Sequence, residues 1–113
     1  MRADGKIDYL ELPATALDEA KAFYGRAFGW TFVDHGPGYA AFSEGLDGGL
    51  DGNPDQAGGV PVPVLYAADL EAMQARVEAA GGTLARAIFA FPGGRRFHFR
   101  DPAGNELAVW SET

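Results

Sequence analysis

Phe23-Tyr24-Gly25-Arg26-Ala27-Phe28-Gly29-Trp30, near the start, and Arg100-Asp101-Pro102-Ala103-Gly104-Asn105-Glu106-Leu107-Ala108-Val109-Trp110, at the end, decide how this chain of 113 residues is read. The first stretch closes an amphipathic helix at Gly29 and enters a strand. Leu17, Ala20, Phe23, Tyr24, Ala27 and Phe28 recur at helical spacing, so they form one apolar stripe suited to lying on a sheet. That spacing assigns Phe23, Tyr24, Phe28 and Trp30 to the core. The second stretch is a tight turn between two strands. Pro102 presets φ there, and Gly104 and Asn105 tolerate left-handed geometry.

Outward from these stretches the same order of elements occurs twice. Ile7 to Leu12 alternates apolar and polar residues, as a half-buried strand does, and Pro13 ends it. Thr15 reads as the cap of the first helix, with Asp18 and Glu19 near the positive end of its dipole. Short strands are predicted at Thr31 to Val33 and Tyr39 to Phe42, joined by a turn at His35-Gly36-Pro37-Gly38. Gly45 to Gly59 is rich in glycine and aspartate and reads mostly as a connecting loop, with a short strand near Gly49-Leu50.

The second half repeats the scheme. Val62 to Ala67 is strand-like, Asp69 caps a helix, and Leu70, Met73, Val77 and Ala80 form its stripe up to a stop at Gly81-Gly82. Strands near Thr83–Phe89, Arg95–Arg100 and Glu106–Trp110 complete it. Leu17-Asp18-Glu19-Ala20 and Leu70-Glu71-Ala72-Met73 occupy equivalent places about 50 positions apart, which makes the chain a degenerate repeat. The expected fold is α+β: two βαβββ modules, about residues 6–52 and 60–111, in a single domain spanning 1–113. Each module needs a neighbour to bury its sheet, so the expected architecture is a curved mixed-sheet cup with helices on the convex face.

Composition narrows the function. The net charge is −7, and no basic cluster exceeds Arg95-Arg96, which argues against nucleic acid or an anionic membrane as partner. Without cysteine, the chain has no disulfide, thiolate ligand or thiol nucleophile. No apolar run is long enough to span a membrane, and Met1 to Lys6 has no apolar signal-peptide core. A cytoplasmic location is therefore expected. There is no nucleophile elbow, dinucleotide fingerprint or HExxH.

The two opening stretches and the module repeat resemble the vicinal oxygen chelate superfamily, which includes glyoxalase I, extradiol dioxygenases and bleomycin-resistance proteins. The resemblance covers essentially the whole chain. It implies a ligand site on the concave face, pairing with a second copy as a homodimer and, in metal-dependent members, three or four His or carboxylate ligands. Those positions fall here at Tyr9, near Gly48-Gly49-Leu50 (where only Asp47 and Asp51 carry carboxylates), at Val62 and at Ala108. Valine and alanine coordinate nothing, and neutral tyrosine is a poor ligand for most divalent ions. The usual metal site is expected to be lost, so no resident cofactor is expected.

Alternation then assigns the remaining side chains. With Tyr9 and Ala108 pointing inward, so do Ile7 and Glu11, Val62, Val64 and Tyr66, and Glu106 and Trp110. Phe97 and Phe99 pack beneath the helices, which turns Arg96, His98 and Arg100 towards the cup. Candidate catalytic residues are His98, Glu11 and Glu106; candidate ligand contacts are Tyr9, Tyr66, Arg96 and Trp110.

Each residue also has a plainer role. His98 is either a general acid or base, part of a relocated site with Glu11 and Glu106, or a strand histidine bonded to a neighbour. Glu11 and Glu106 are either an acid–base pair or partners of Arg96 and Arg100. Trp110 either stacks on a ligand or fills a subunit interface. His35 is an exposed turn residue. The functional expectation is a metal-free protein binding a small organic molecule; the alternative is a glyoxalase-like lyase, isomerase or dioxygenase using a divalent metal with rearranged ligands.

Overall fold

Apolar residues alternating along short strands bury one face of a sheet, and each such face needs a helix or another layer over it. The structure, a computed structural model, describes residues 2–53 and 59–113, so the part of the expected connecting loop at 54–58 lies outside the described residues. In order, the elements are β1 (Ile7–Pro13), α1 (Leu17–Phe28), β2 (Val33–Asp34), β3 (Tyr39–Ser43), β4 (Asp47–Asp51), β5 (Val62–Tyr66), α2 (Leu70–Ala79), β6 (Thr83–Phe91), β7 (Gly94–Arg100) and β8 (Glu106–Ser111). The fold is α+β, and both halves follow the βαβββ order. By its internal contacts the chain divides into two units. One is Tyr9–Pro61; the other is Val62–Thr113 together with the residues up to Asp8.

Within the first unit, β4 pairs in parallel with β1 and antiparallel with β3, and β3 pairs antiparallel with β2. The short strand expected near Gly49-Leu50 thus runs over Asp47–Asp51, within the stretch read mostly as loop. Gly48 and Gly49 are there for space. A Cβ on Gly48 would collide with the Leu10 carbonyl and the Phe42 ring, and one on Gly49 would meet the ring of Tyr39. Glycine in a strand marks such close approach as readily as it marks a loop. The second strand is also displaced from its expected place, to Val33–Asp34.

Helix α1 departs from expectation at both its cap and its face. Its N-cap is Ala16, with no side-chain hydrogen bond, so Thr15 is not the cap; Gly29 closes the helix in the left-handed conformation. No residue of α1 is buried, and Phe23 and Phe28 are 54% and 64% exposed, against their assignment to the core. Helical spacing groups these rings on one stripe but does not determine what covers them. They pack mainly on each other: Tyr24 stacks on Trp30 at 4.7 Å, and Trp30 lies 4.9 Å from Phe42, which is buried.

The second unit repeats the topology, with β5 parallel to β8, and β8–β7 and β7–β6 antiparallel. Asp69 caps α2 by accepting from the Ala72 amide. Beneath the helix lies a core of Ala67, Leu70, Phe97 and Val109, flanked by Leu65, Met73, Val77, Leu84, Ile88 and Phe99. Phe97 and Phe99 therefore pack as alternation predicts. The β7–β8 turn is held by Asp101, whose carboxylate accepts from the Ala103 and Asn105 amides and the Asn105 side chain. Those bonds, the Asn105 side chain first, hold its carboxyl below the usual range.

Gly48→Ala should lower stability by about 1–3 kcal/mol, as overpacking does in a closed site. Chemical denaturation followed by circular dichroism measures this, and an unchanged midpoint would contradict the packing of Phe42 against Gly48.

Candidate functional site

On a strand, residues two apart share a face, so the burial of Phe97 fixes its neighbours. Arg96 and His98 emerge on the side of the β5–β8–β7–β6 sheet away from the Phe97 core. Cross-strand pairing aligns Arg96 with Trp110, His98 with Ala108 and Arg100 with Glu106. On the neighbouring strand Val64 pairs with Ala108 and Tyr66 with Trp110. These pairs put on one face the residues that alternation assigns to one side.

The centre of the face is His98, only 6% exposed. Its Nδ1 lies 2.9 Å from Glu106 Oε2. Its Nε2 lies 3.2 Å from Arg96 Nε and 3.0 Å from Arg96 Nη2. A guanidinium has only donors, so Nε2 must accept and the imidazole proton sits on Nδ1, donated to the carboxylate. Both nitrogens are thus engaged. Glu106 also takes a bond from Arg100 Nη2 at 3.2 Å, so it serves as both histidine partner and ion-pair partner. The ring of Phe89 lies 5.9 Å from His98 and 5.8 Å from the Arg96 guanidinium, and Arg86 stacks over Phe89 at 3.9 Å.

Trp110 lies on this face but differs from the open stacking surface expected of it. The Arg2 guanidinium covers its ring at 4.8 Å, the Tyr66 ring meets it edge-on at 5.5 Å, and its indole N–H donates to Asp8 Oδ1 at 3.0 Å. Alternation from Tyr9 alone would turn Asp8 away from this side. The chain just before it runs beside Tyr66, with the Gly5 amide donating to the Tyr66 carbonyl and the Tyr66 amide to the Lys6 carbonyl, and this pairing sets its direction. Partial desolvation and the Glu112 carboxylate hold the Tyr66 phenol above its usual range.

The remaining candidates belong to the Tyr9–Pro61 unit. The Tyr9 hydroxyl hydrogen-bonds that of Tyr39, whose ring spans Gly49. Burial first, then the Tyr9 bond and the nearby Glu11 and Asp51 carboxylates, push the Tyr39 phenol far above its ordinary range. Glu11 lies opposite Gly49 on the neighbouring strand. An open depression of about 430 Å³ beside the first turns of α1 is lined by Leu12, Thr15, Glu19, Phe23 and Leu50 among others, and includes none of the candidate residues.

The structure brings together His98, Glu106, Arg96, Tyr66 and Trp110 in one unit. Sequence reasoning missed Arg2, Asp8, Arg86, Phe89 and Tyr39. The signal for Phe89 was its place across from Arg96; Arg2 and Asp8 left none.

Residues 6–109 match the family model of the Glyoxalase/Bleomycin resistance protein/Dioxygenase superfamily. The chain belongs to that superfamily. No curated protein sequence is significantly similar to it. Among solved structures it is 27% identical to the Mn(II)-bound glyoxalase from Novosphingobium aromaticivorans, with a TM-score of 0.67 over 99% of this chain and 40% of that one. The chain thus spans less than half the length of that relative. Methylmalonyl-CoA epimerase from Mycobacterium tuberculosis aligns at 14% identity and TM-score 0.70, over 98% of this chain and 90% of that one. A superfamily member from Vibrio splendidus 12B01 aligns at 18% identity and TM-score 0.67, over 91% and 96%. At those identities the last two likenesses show the fold alone.

Three of the four positions that the resemblance assigns to metal ligands hold residues that suit a metal poorly. Val62 and Ala108 are buried and carry no donor, and the Tyr9 hydroxyl engages Tyr39. Among the described residues no group of three His, Asp or Glu side chains is arranged to hold an ion, and no helix is long and apolar enough to cross a membrane.

Nitrogen-detected NMR of the imidazole should show His98 with its proton on Nδ1. A dominant Nε2–H form would contradict the Arg96 and Glu106 contacts.

Proposed function

We propose that this chain binds a small organic molecule on the sheet face bearing Arg96, His98, Glu106 and Tyr66, and that it does so without a metal. The observation that carries this reading is the occupation of both His98 nitrogens, one by Glu106 and one by Arg96. An imidazole so engaged offers no lone pair to an ion, whereas the surrounding aromatic rings and few convergent polar groups suit an organic ligand. The Arg96 guanidinium already supplies a positive charge beside the histidine.

His98→Ala should weaken a ligand found by thermal-shift screening about tenfold or more, in line with loss of one charge-assisted hydrogen bond. Protein incubated with zinc, nickel, manganese or ferrous iron and then desalted should retain none stoichiometrically by mass spectrometry, and a chelator should leave its melting temperature unchanged. Near-stoichiometric retention of any one ion would overturn the metal-free reading.

One observation favours a second reading, in which the chain is a lyase or isomerase. The Glu106 carboxylate orients His98 through Nδ1, as the third member of a catalytic triad orients its base. A substrate that draws Arg96 aside would meet Nε2 as a proton acceptor. Turnover of a carbonyl substrate that is lost in both His98→Ala and Glu106→Gln would establish this reading over simple binding.

We also propose that the chain pairs with a second copy, supported by the exposed rings of Phe23 and Phe28. Light scattering should give twice the chain mass for the wild type and a shift towards the monomer for a Phe23→Ser, Phe28→Ser double variant; a monomeric wild type would sink the idea.

A further inference from the structure

Asp8 is held in an unusual state. Its Oδ1 accepts the Trp110 indole N–H at 3.0 Å. Its Oδ2 is buried and has no hydrogen-bond partner among the described residues. The nearest cation, Arg2 Nε, stands 3.5 Å from that oxygen, close enough for an ion contact but not placed to donate a hydrogen bond. A buried carboxylate oxygen left without a donor is costly, so the arrangement calls for a better-placed N–H.

The surroundings say what kind of group would bring one. Above the Trp110 ring, at 4.8 Å, lies the Arg2 guanidinium, whose side chain is 48% exposed. Tyr66 closes one edge of the indole at 5.5 Å and Phe91 lies 6.3 Å away. These groups therefore combine a flat aromatic face, which attracts a cation, with a carboxylate oxygen beside it that lacks a hydrogen-bond donor. A planar, delocalised cation satisfies both, lying on the indole while its edge N–H points at Oδ2.

We infer that Asp8 and Trp110 form a subsite for the guanidinium or amidinium group of a ligand, and that Arg2 holds its place in this structure. The inference rests on the reading of this sheet face as a ligand surface and adds the chemical class of what it takes. Trp110 stands across from Arg96, so a ligand anchored here extends along β7 and β8 towards His98. The net charge of −7 favours the approach of a cation.

Benzamidine, a flat amidinium, is the probe, and benzamide its uncharged counterpart. By isothermal titration, Arg2→Ala should bind benzamidine about tenfold more tightly than the wild type, since the internal competitor is gone. Benzamide should bind neither protein. Asp8→Asn in the Arg2→Ala background should abolish the gain, while asparagine still accepts from Trp110 and keeps the melting temperature close to that of Arg2→Ala. Trp110→Leu in that background should abolish it as well. Equal benzamidine affinity in wild type and Arg2→Ala, or a gain that survives Asp8→Asn, would overturn the subsite. His98→Ala separates the two readings. If an organic ligand depends on His98 but benzamidine binds none of these proteins, the cation subsite falls and the binding face stands. If benzamidine behaves as expected but no ligand responds to His98→Ala, the subsite stands and the role given to His98 falls.

Discussion

Each module depends on the parallel pairing of its first strand with its last: β1 with β4, and β5 with β8. A parallel pair cannot be closed by a hairpin; the chain must cross over, and in both halves it does so through a helix and two further strands. The helix returns over one side of its own sheet. In the second unit it seals Phe97, Val109 and Leu70 beneath it. The opposite side is then the only place left for the polar residues that alternate with that core, and Arg96, His98, Arg100 and Glu106 follow there without any further design.

That second face takes its charge from side chains that meet one another. Ala108 faces His98, and the imidazole is held between Glu106 and the Arg96 guanidinium. A positive charge is thus supplied by a side chain. Such a charge is fixed in number and cannot exchange with solvent, but it can move on a flexible stem, which a coordinated ion cannot do in the same way. The aromatic rings of Phe89 and Phe91 lie within 6 Å of that guanidinium and limit where the stem can go.

Which of these side chains share a sheet face was largely legible in the sequence because strand alternation is a rigid rule. Once Phe97 was assigned to the core, His98 and Arg96 had to face the other way, and their partners on β8 followed from the turn at Asp101 to Asn105. The errors fall where one residue type serves two purposes. The stretch around Gly48 reads mostly as loop, with a short strand near Gly49-Leu50, yet Gly48 and Gly49 both lie in a strand and make room for Phe42 and Tyr39. Aromatic spacing on α1 read as burial, yet Phe23 and Phe28 face outward.

By itself, then, the sequence determined the repeated order of the elements and the face on which His98 lies, because periodicity and side-chain chemistry are local properties. Only the tertiary structure decided which groups meet. That Arg96 rather than solvent engages His98 Nε2, and that Arg2 and Asp8, over a hundred positions from Trp110, close over its ring, are consequences of strand register and chain path. Contacts between distant segments have no signature in the spacing of either segment, since each is set by where the other is carried.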